Sequence, residues 1–322
     1  MISGRAAFTL ALGKDIYFQM AYALARSFLR NGTGAGVEFV IVADRPVSER
    51  PHDLANIRWI EIAPGLYGRG FSPKLHLDKL APAERSMFID ADCLCVAPLA
   101  PAFDAFEGHA VSVIGKPISN GEWFGDVMSI RAHFGLDAYP RFNGGVYYIE
   151  PGEVAQAVYA TARDVESRYD EVGFVRLRGS PNDEVCMAVA MALNDQKPVP
   201  DDGTIMNTLL EAKRGLALDA LEGRAVLRNS VGEPGTDPFF ELAEMRPALV
   251  HFLGRDIDEH PYRTEILALE LVHFYGWPPG IARLRATLTS AWPWIAGTAA
   301  KNALRPLYRA ILGTRHVRQG SR

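Results

Sequence analysis

The sequence predicts an α/β protein built on a mostly parallel, doubly wound sheet, followed by a helical, basic C-terminal tail. Three observations lead there. Short apolar runs alternate with segments of helical periodicity, the pattern of repeated strand and helix units. At 322 residues and 48% hydrophobic composition, the chain can bury about three quarters of the surface its unfolded form exposes, which suits one large domain or one domain with a small appendage. Charge is also unevenly distributed. Residues 1 to 270 hold 26 basic and 38 acidic residues, a net of −12, whereas Arg283, Arg285, Lys301, Arg305, Arg309, Arg315, Arg318 and Arg322 follow Glu270 with no acid among them. So acidic a body carries no nucleic-acid footprint, and no nucleic-acid partner is expected.

Taken in order, Ala6 to Leu12 is a short apolar run ended by Gly13, a first strand. From Ile16 to Arg30, Tyr17, Ala21, Leu24 and Phe28 fall on one helical face before Asn31-Gly32 stops the helix. Val37 to Ala43 is a second strand and Arg58 to Ile62 a third, with loops at Pro64-Gly65 and Gly68 to Gly70. A helix from Leu75 to Leu80 leads into the strand MFI. Further strands are expected at Ala110 to Ile114 and Val146 to Ile149. Further helices are expected near Glu153 to Asp170, Asp183 to Leu193 and Thr264 to Tyr275.

Three cysteines, Cys93, Cys95 and Cys186, make no even disulfide framework, and Cys93-x-Cys95 lacks the C-x-x-C spacing of zinc and redox sites. The N-terminus shows no basic, apolar and small-residue succession of a signal peptide, and no window reaches 18 apolar residues. A reducing, cytoplasmic location is the expectation.

In MFIDADCLCV (Met87 to Val96), Asp90-Ala91-Asp92 stands where the buried strand runs out. In doubly wound sheets that carboxyl edge is where ligands bind. Two carboxylates there repel each other unless a cation joins them. In extended chain both would emerge on one side and meet a single Mn²⁺ or Mg²⁺. A bare D-x-D is also the ordinary chemistry of a strand-end turn, and on the tripeptide alone that reading wins; its position after a buried strand brings the two level.

Its surroundings decide. FTLALGKDIYFQMAYALARSFLRNG (Phe8 to Gly32), FSPKLHLDKLAPAERSMFIDADCLCV (Phe71 to Val96), RFNGGVYYIEP (Arg141 to Pro151), SPNDEVCMAVAMALN (Ser180 to Asn194) and LVHFLGR (Leu249 to Arg255) resemble, in this order, glycosyltransferases of family 8. The glycogenin-like branch and the bacterial lipopolysaccharide transferases are the nearest within it. The resemblance spans residues 5 to 262. It implies a GT-A, Rossmann-like fold over residues 1–265, with residues 266–322 as C-terminal helices and tail. It also implies a UDP-sugar donor held by Mn²⁺ (or Mg²⁺), with retention at the anomeric carbon.

Carried over residue by residue, Asp90 and Asp92 match the metal-holding D-x-D, and His251 its third protein ligand. A neutral imidazole is required for that role, so activity should fall as the ring protonates. Tyr17 matches an aromatic stacked on uracil, Leu10 a backbone contact to the base, and Lys74 a basic residue that reaches the donor. Asn143, Gly144 and Gly145 match the turn near the sugar, and Asp183 an acid that orients sugar hydroxyls. Gly254 and Arg255 follow the histidine on the phosphate side. For Tyr17, Lys74 and His251 the bland readings are core, solvated helix surface and satisfied core histidine.

Two departures are instructive. Asp183-Glu184 stands where the family has Asp-Gln, which makes Glu184 a second carboxylate beside the reaction centre. The position of the phosphate-binding lysine is taken by Ile257, leaving His260, Arg263 or, first of these, Arg255 to replace it. Two rivals remain on the sequence: a phosphatase of the haloacid-dehalogenase type, which lacks its D-x-D-G-[TV] continuation here, and a non-catalytic nucleotide-sugar binder.

In the tail, Leu304, Leu307 or Tyr308, and Ile311 share a helical face beside Trp292 and Trp294, with Arg305 and Arg309 on another. Such a segment suits an anionic membrane surface and places the protein peripherally on the inner face of the cytoplasmic membrane. The acceptor would then be a glycan, glycolipid or lipopolysaccharide-type molecule. The alternative is a helix packed on the acidic body, and Pro306 is expected to break any helix that reaches it.

Overall fold

The computed structural model describes residues 2–34, 36–234 and 236–313. Its centre is a six-stranded sheet made of β1 (Ile2–Ala11), β2 (Val37–Ala43), β3 (Arg58–Glu61), β4 (Ala83–Ile89), β6 (Val111–Ser112) and β9 (Val146–Ile149), in the order β3-β2-β1-β4-β9-β6. The first four strands run parallel, while β9 is antiparallel to both β4 and β6. The central parallel strands β1, β2 and β4 are apolar on both faces. Ala7, Ile41, Met87 and Ile89 enter one core, and Ala6, Phe8, Val40, Val42 and Phe88 the other.

Helices cover both faces, as the alternation of residues requires. Along the first face lie α1 (Asp15–Ser27) and α8 (Tyr262–His273). Along the second lie α4 (Val127–Phe134), α5 (Glu153–Ser167) and α7 (Asp183–Leu193), with the short α2 (Leu77–Leu80) and α6 (Tyr169–Val172) in the connections, while the short α3 (Ala100–Ala105) packs on the first face through Ala102 and Phe103. Three smaller sheets complete the body. They comprise β7 (Gly115–Ile118) with β8 (Tyr139–Phe142), the antiparallel set β11 (Gly215–Asp219), β12 (Arg224–Arg228) and β13 (Glu244–Met245), and the set of β10 (Met206–Thr208), β14 (Leu249–His251) and β5 (Cys93–Cys95). In the last of these β14 is central, parallel to β10 and antiparallel to β5.

The expected boundary at residue 265 falls inside α8. Beyond it, α9 (Pro279–Ala286) is tied to the body through Arg283, which pairs with Glu265 at 2.6 Å and Asp219 at 2.5 Å. The last helix, α10 (Trp292–Leu312), runs through Pro306, contrary to the expected break. The proline ring removes one hydrogen bond, to the carbonyl of Asn302, and residues 301–306 are exposed, so water can take that carbonyl instead. The side chains of Leu307, Tyr308 and Ile311, and all of Arg315, Arg318 and Arg322, lie outside the described residues.

Candidate active site

The antiparallel strand β9 is what assembles the site. Strand β4 ends at Ile89, which pairs with Val146 at the start of β9, so the turn before β9 lies beside the residues after β4. There the Asp90 N–H donates to the Gly145 carbonyl at 2.9 Å. A strictly parallel sheet would carry Asn143, Gly144 and Gly145 to the opposite edge.

The backbone between the aspartates is not extended. The Cys93 N–H donates to the Asp90 carbonyl at 3.0 Å, closing a turn, and the two carboxylates are brought together by their partners instead. His251 enters from β14, whose register sets it opposite Cys93. Its Nε2 lies 3.0 Å from Asp92 Oδ1 and 3.7 Å from Asp90 Oδ2. Lys74, on a helical turn at Ser72–His76, reaches Asp90 Oδ2 at 2.7 Å, donates to the Gly144 carbonyl at 3.0 Å, and lies 3.8 Å from Asp183 Oδ2. Lys74 is thus a counter-ion inside the acid cluster, not a solvated helix residue.

The other ring nitrogen of His251 settles its chemistry. Nδ1 lies 2.7 Å from Asn143 Oδ1, and the same oxygen accepts from the Gly145 N–H at 3.1 Å. An oxygen already accepting from an amide can only accept from the imidazole, so Nδ1 carries a proton. Nε2 therefore presents a lone pair to two carboxylates unless a proton or a metal ion stands between them. Burial works against the imidazolium, but Asp92 and, after it, Asp90 together outweigh this and raise the His251 pKa. The donor set of carboxylate oxygen and imidazole nitrogen, with the second ring nitrogen anchored, fits Mn²⁺. Among the described residues, the donor atoms of Asp92, Cys93 and His251 all lie within 4.8 Å of one another. Burial holds the Cys93 thiol well above its ordinary pKa, which keeps it protonated and a poor ligand for a hard cation. Asp90, drawn onto Lys74, stands at the rim of this group.

The remaining residues differ from the sequence reading in orientation. Asp183 is only 2% exposed, held by the Tyr147 hydroxyl at 2.6 Å, and so braces Lys74 from behind. Glu184 is the more open carboxylate, and its Oε1 accepts from the Gly144 N–H at 2.7 Å. Burial, then the neighbouring Asp183, pushes the Glu184 pKa up to about 7. Burial likewise pushes Asp90 up to about 6, against the pull of Lys74. For Lys74 burial works against the charge, but Asp183 and Asp90 outweigh it and raise its pKa. Both glycines are tightly enclosed, Gly145 the more so. A Cβ on Gly145 would lie 2.6 Å from His251 Nδ1, and one on Gly144 3.0 Å from Glu184 Cγ.

Leu10 lies on β1 near its carboxyl end, two residues past the Phe8–Phe88 pair. Tyr17, in the first turn of α1, is 42% exposed while Ala21, Leu24 and Phe28 are buried, so its ring is not core. Gly254 adopts φ +59° at the start of a helical turn, Gly254–Asp258, and Arg255 is exposed there. His260 is engaged elsewhere, with Nδ1 2.9 Å from Thr264 Oγ1 and its ring 5.5 Å from that of Trp294. With Arg263 it lines a groove of about 710 Å³ beside α1 and α10 that includes none of Asp90, Asp92, Asp183 and Glu184. The chemistry places the site at the carboxylates, not in this groove. Sequence reasoning missed Tyr147, hidden within an apolar strand, and Thr208, paired with His251 across β10 and β14.

No family model matches the chain, and no curated protein matches it in sequence. Solved structures do. A galactosyltransferase, LgtC, in complex with donor and acceptor sugar analogues superposes with a TM-score of 0.52 at 14% identity, over 87% of this chain and 95% of that one. An active-site mutant of LgtC, glutamine to glutamate, superposes at 0.50 and 14% identity, over 77% of this chain and 87% of that one. Together with the strand order and the position of the acids, these likenesses establish that the chain has the GT-A glycosyltransferase fold.

Proposed function

We propose that the protein is a metal-dependent, retaining glycosyltransferase that moves a hexose or related sugar from a UDP-sugar to a glycan or glycolipid. The observation that carries this reading is the convergence of Asp90, Asp92 and His251 at the carboxyl edge of the parallel strands, with Lys74 and Asp183 neutralising one another behind them. Bound there, a divalent ion would neutralise the diphosphate of the donor. The residues of the chain do the rest. Asn143 orients His251, Lys74 fixes Asp90 and the Gly144 carbonyl, and the glycine pair lets Glu184 and the ring of His251 close against the turn. Tyr17 offers an exposed aromatic face for uracil. Glu184, standing where the resemblance expects glutamine, sets donor choice, because a carboxylate accepts but does not donate to sugar hydroxyls unless protonated. The test is a panel of UDP-sugars with Mn²⁺, scoring UDP release for the wild type and Asp92→Asn. One sugar should support turnover that the variant abolishes, and equal turnover would remove the reading.

The C-terminal helices support a second, spatial element of this function. Among the described residues no helix is long and apolar enough to cross a membrane. Trp292 is 65% and Leu304 60% exposed, on a helix with Lys301, Arg305 and Arg309 and no acid. Apolar and cationic side chains together fit an anionic lipid surface, which would bring a glycolipid acceptor to the site. Flotation with anionic liposomes should be lost on removal of residues 280–322, and equal flotation would sink this element.

A further inference from the structure

We propose that Arg178, which no motif points to, is the cation that receives the departing diphosphate, in place of the lysine that Ile257 displaces; the assignment rests on the donor reading above. Leu177 and Ser180 exchange two backbone hydrogen bonds, at 2.9 and 3.0 Å, across Arg178 and Gly179, whose φ values are +51° and +80°. This is a two-residue hairpin of the type that needs left-handed backbone at both central positions. A non-glycine residue there is strained, and such strain persists where the surroundings enforce it. Enforcement is visible on three sides. The hairpin continues directly into Asn182, which caps α7 by accepting from the Glu184 N–H at 2.6 Å. Ser180 Oγ lies 3.6 Å from where a Cβ on Gly70 would be, against the loop that leads to Lys74. The Arg178 guanidinium lies over Gly254, its Nη2 2.8 Å from where a Cβ would be.

Gly254 is three residues past His251, and that segment is bound to the aspartate turn by the Phe252 N–H, which donates to the Asp92 carbonyl at 3.1 Å. Arg178 therefore bridges the two halves of the site while pairing with no carboxylate among the described residues. Arg255 is exposed on the Gly254–Asp258 turn, and His260 and Arg263 belong to the groove by α10. In the transfer, the bond from the anomeric carbon to the β-phosphate oxygen breaks with its electron pair going to that oxygen. The bond from the acceptor oxygen to the anomeric carbon forms, and the acceptor proton passes to the phosphate. A guanidinium over Gly254 stabilises the charge that this step places on the phosphate.

Calorimetry with Mn²⁺ and either UDP or UMP tests the assignment, alongside UDP release from the UDP-sugar panel. Asparagine tolerates left-handed backbone, so Arg178→Asn should keep the wild-type melting temperature. It should lower UDP affinity about tenfold and turnover on the order of a hundredfold, leaving UMP affinity unchanged, and Arg178→Lys should recover part of both losses. UDP binding and turnover at wild-type level in Arg178→Asn would overturn the assignment and leave the donor reading intact, as would their loss in Arg255→Ala alone. A uniform loss for UDP and UMP would reduce Arg178 to a structural residue. Absence of UDP binding by the wild type would overturn the donor reading, and this assignment with it.

Discussion

Replacing Asn143 with alanine should weaken the metal site more than the fold. Asn143 Oδ1 accepts two hydrogen bonds, from His251 Nδ1 at 2.7 Å and from the Gly145 N–H at 3.1 Å. At about 0.5–1.5 kcal/mol each, their loss costs roughly 1–3 kcal/mol of stability. The larger consequence concerns the ring. Without its acceptor the imidazole is free to shift its proton to Nε2 or to turn, and loss of such an anchor typically costs about 10–100-fold in metal affinity. Titration of Mn²⁺ at pH 8, followed by the electron paramagnetic resonance signal of the free ion, measures the second effect, and urea denaturation the first. Asn143→Asp, which still offers an acceptor to both N–H groups, should retain the affinity. Mn²⁺ binding by Asn143→Ala within about twofold of the wild type would show that packing alone orients His251, and the tautomer argument would fall.

Gly145→Ala places a methyl 2.6 Å from His251 Nδ1 and should lower Mn²⁺ affinity by at least about tenfold, with overpacking adding roughly 1–3 kcal/mol of destabilisation, read by the same titration and denaturation. Lys74→Met leaves Asp90 and the buried Asp183 without their cation, and should destabilise by about 3–5 kcal/mol. Because a bound ion supplies charge to the same acids, Mn²⁺ should raise the melting temperature of this variant more than that of the wild type; an equal shift would contradict the shared role. Glu211, 4% exposed, has its pKa pushed by burial from 4.5 up to about 7 despite the Thr208 N–H. The folded state therefore binds the extra proton, and stability present below pH 4.5 is lost as pH rises through about 7. Glu211→Gln should flatten that slope and gain about 1–3 kcal/mol at pH 8, measured by urea denaturation across pH 5 to 8.

The sequence was most legible where punctuation bounded an apolar run. Strands Val37–Ala43 and Val146–Ile149 and helix Asp183–Leu193 end at the residues expected. Boundaries set by pairing were not legible. β1 begins at Ile2 because that residue lies opposite Ala83 of β4, while the expected strand at Ala110 to Ile114 shrinks to Val111–Ser112. The direction of β9 is invisible in its four apolar residues, yet it brings Asn143 to Asp90. The resemblance names Lys74, Asp90, Asp92, Asn143, Asp183 and His251, which the fold brings into contact, but not which way they face. Asp183 turns inward because the Tyr147 hydroxyl is there to receive it, and Asp90 turns to Lys74, contacts decided by tertiary packing and not by spacing.

The pairing of β14 with β5 also constrains synthesis. Among the described residues, Cys93 to Cys95 has its strand partner in Leu249 to His251, about 155 residues later in the chain. A nascent chain that has emerged through the parallel sheet holds Asp90 and Asp92 without their imidazole, and its buried-to-be cysteines line an open edge. Lys74 is already present at that stage and can occupy Asp90 from the outset. The order of appearance thus lets the lysine act as a place-keeper, with a competent ion site arising only once the chain has passed residue 251.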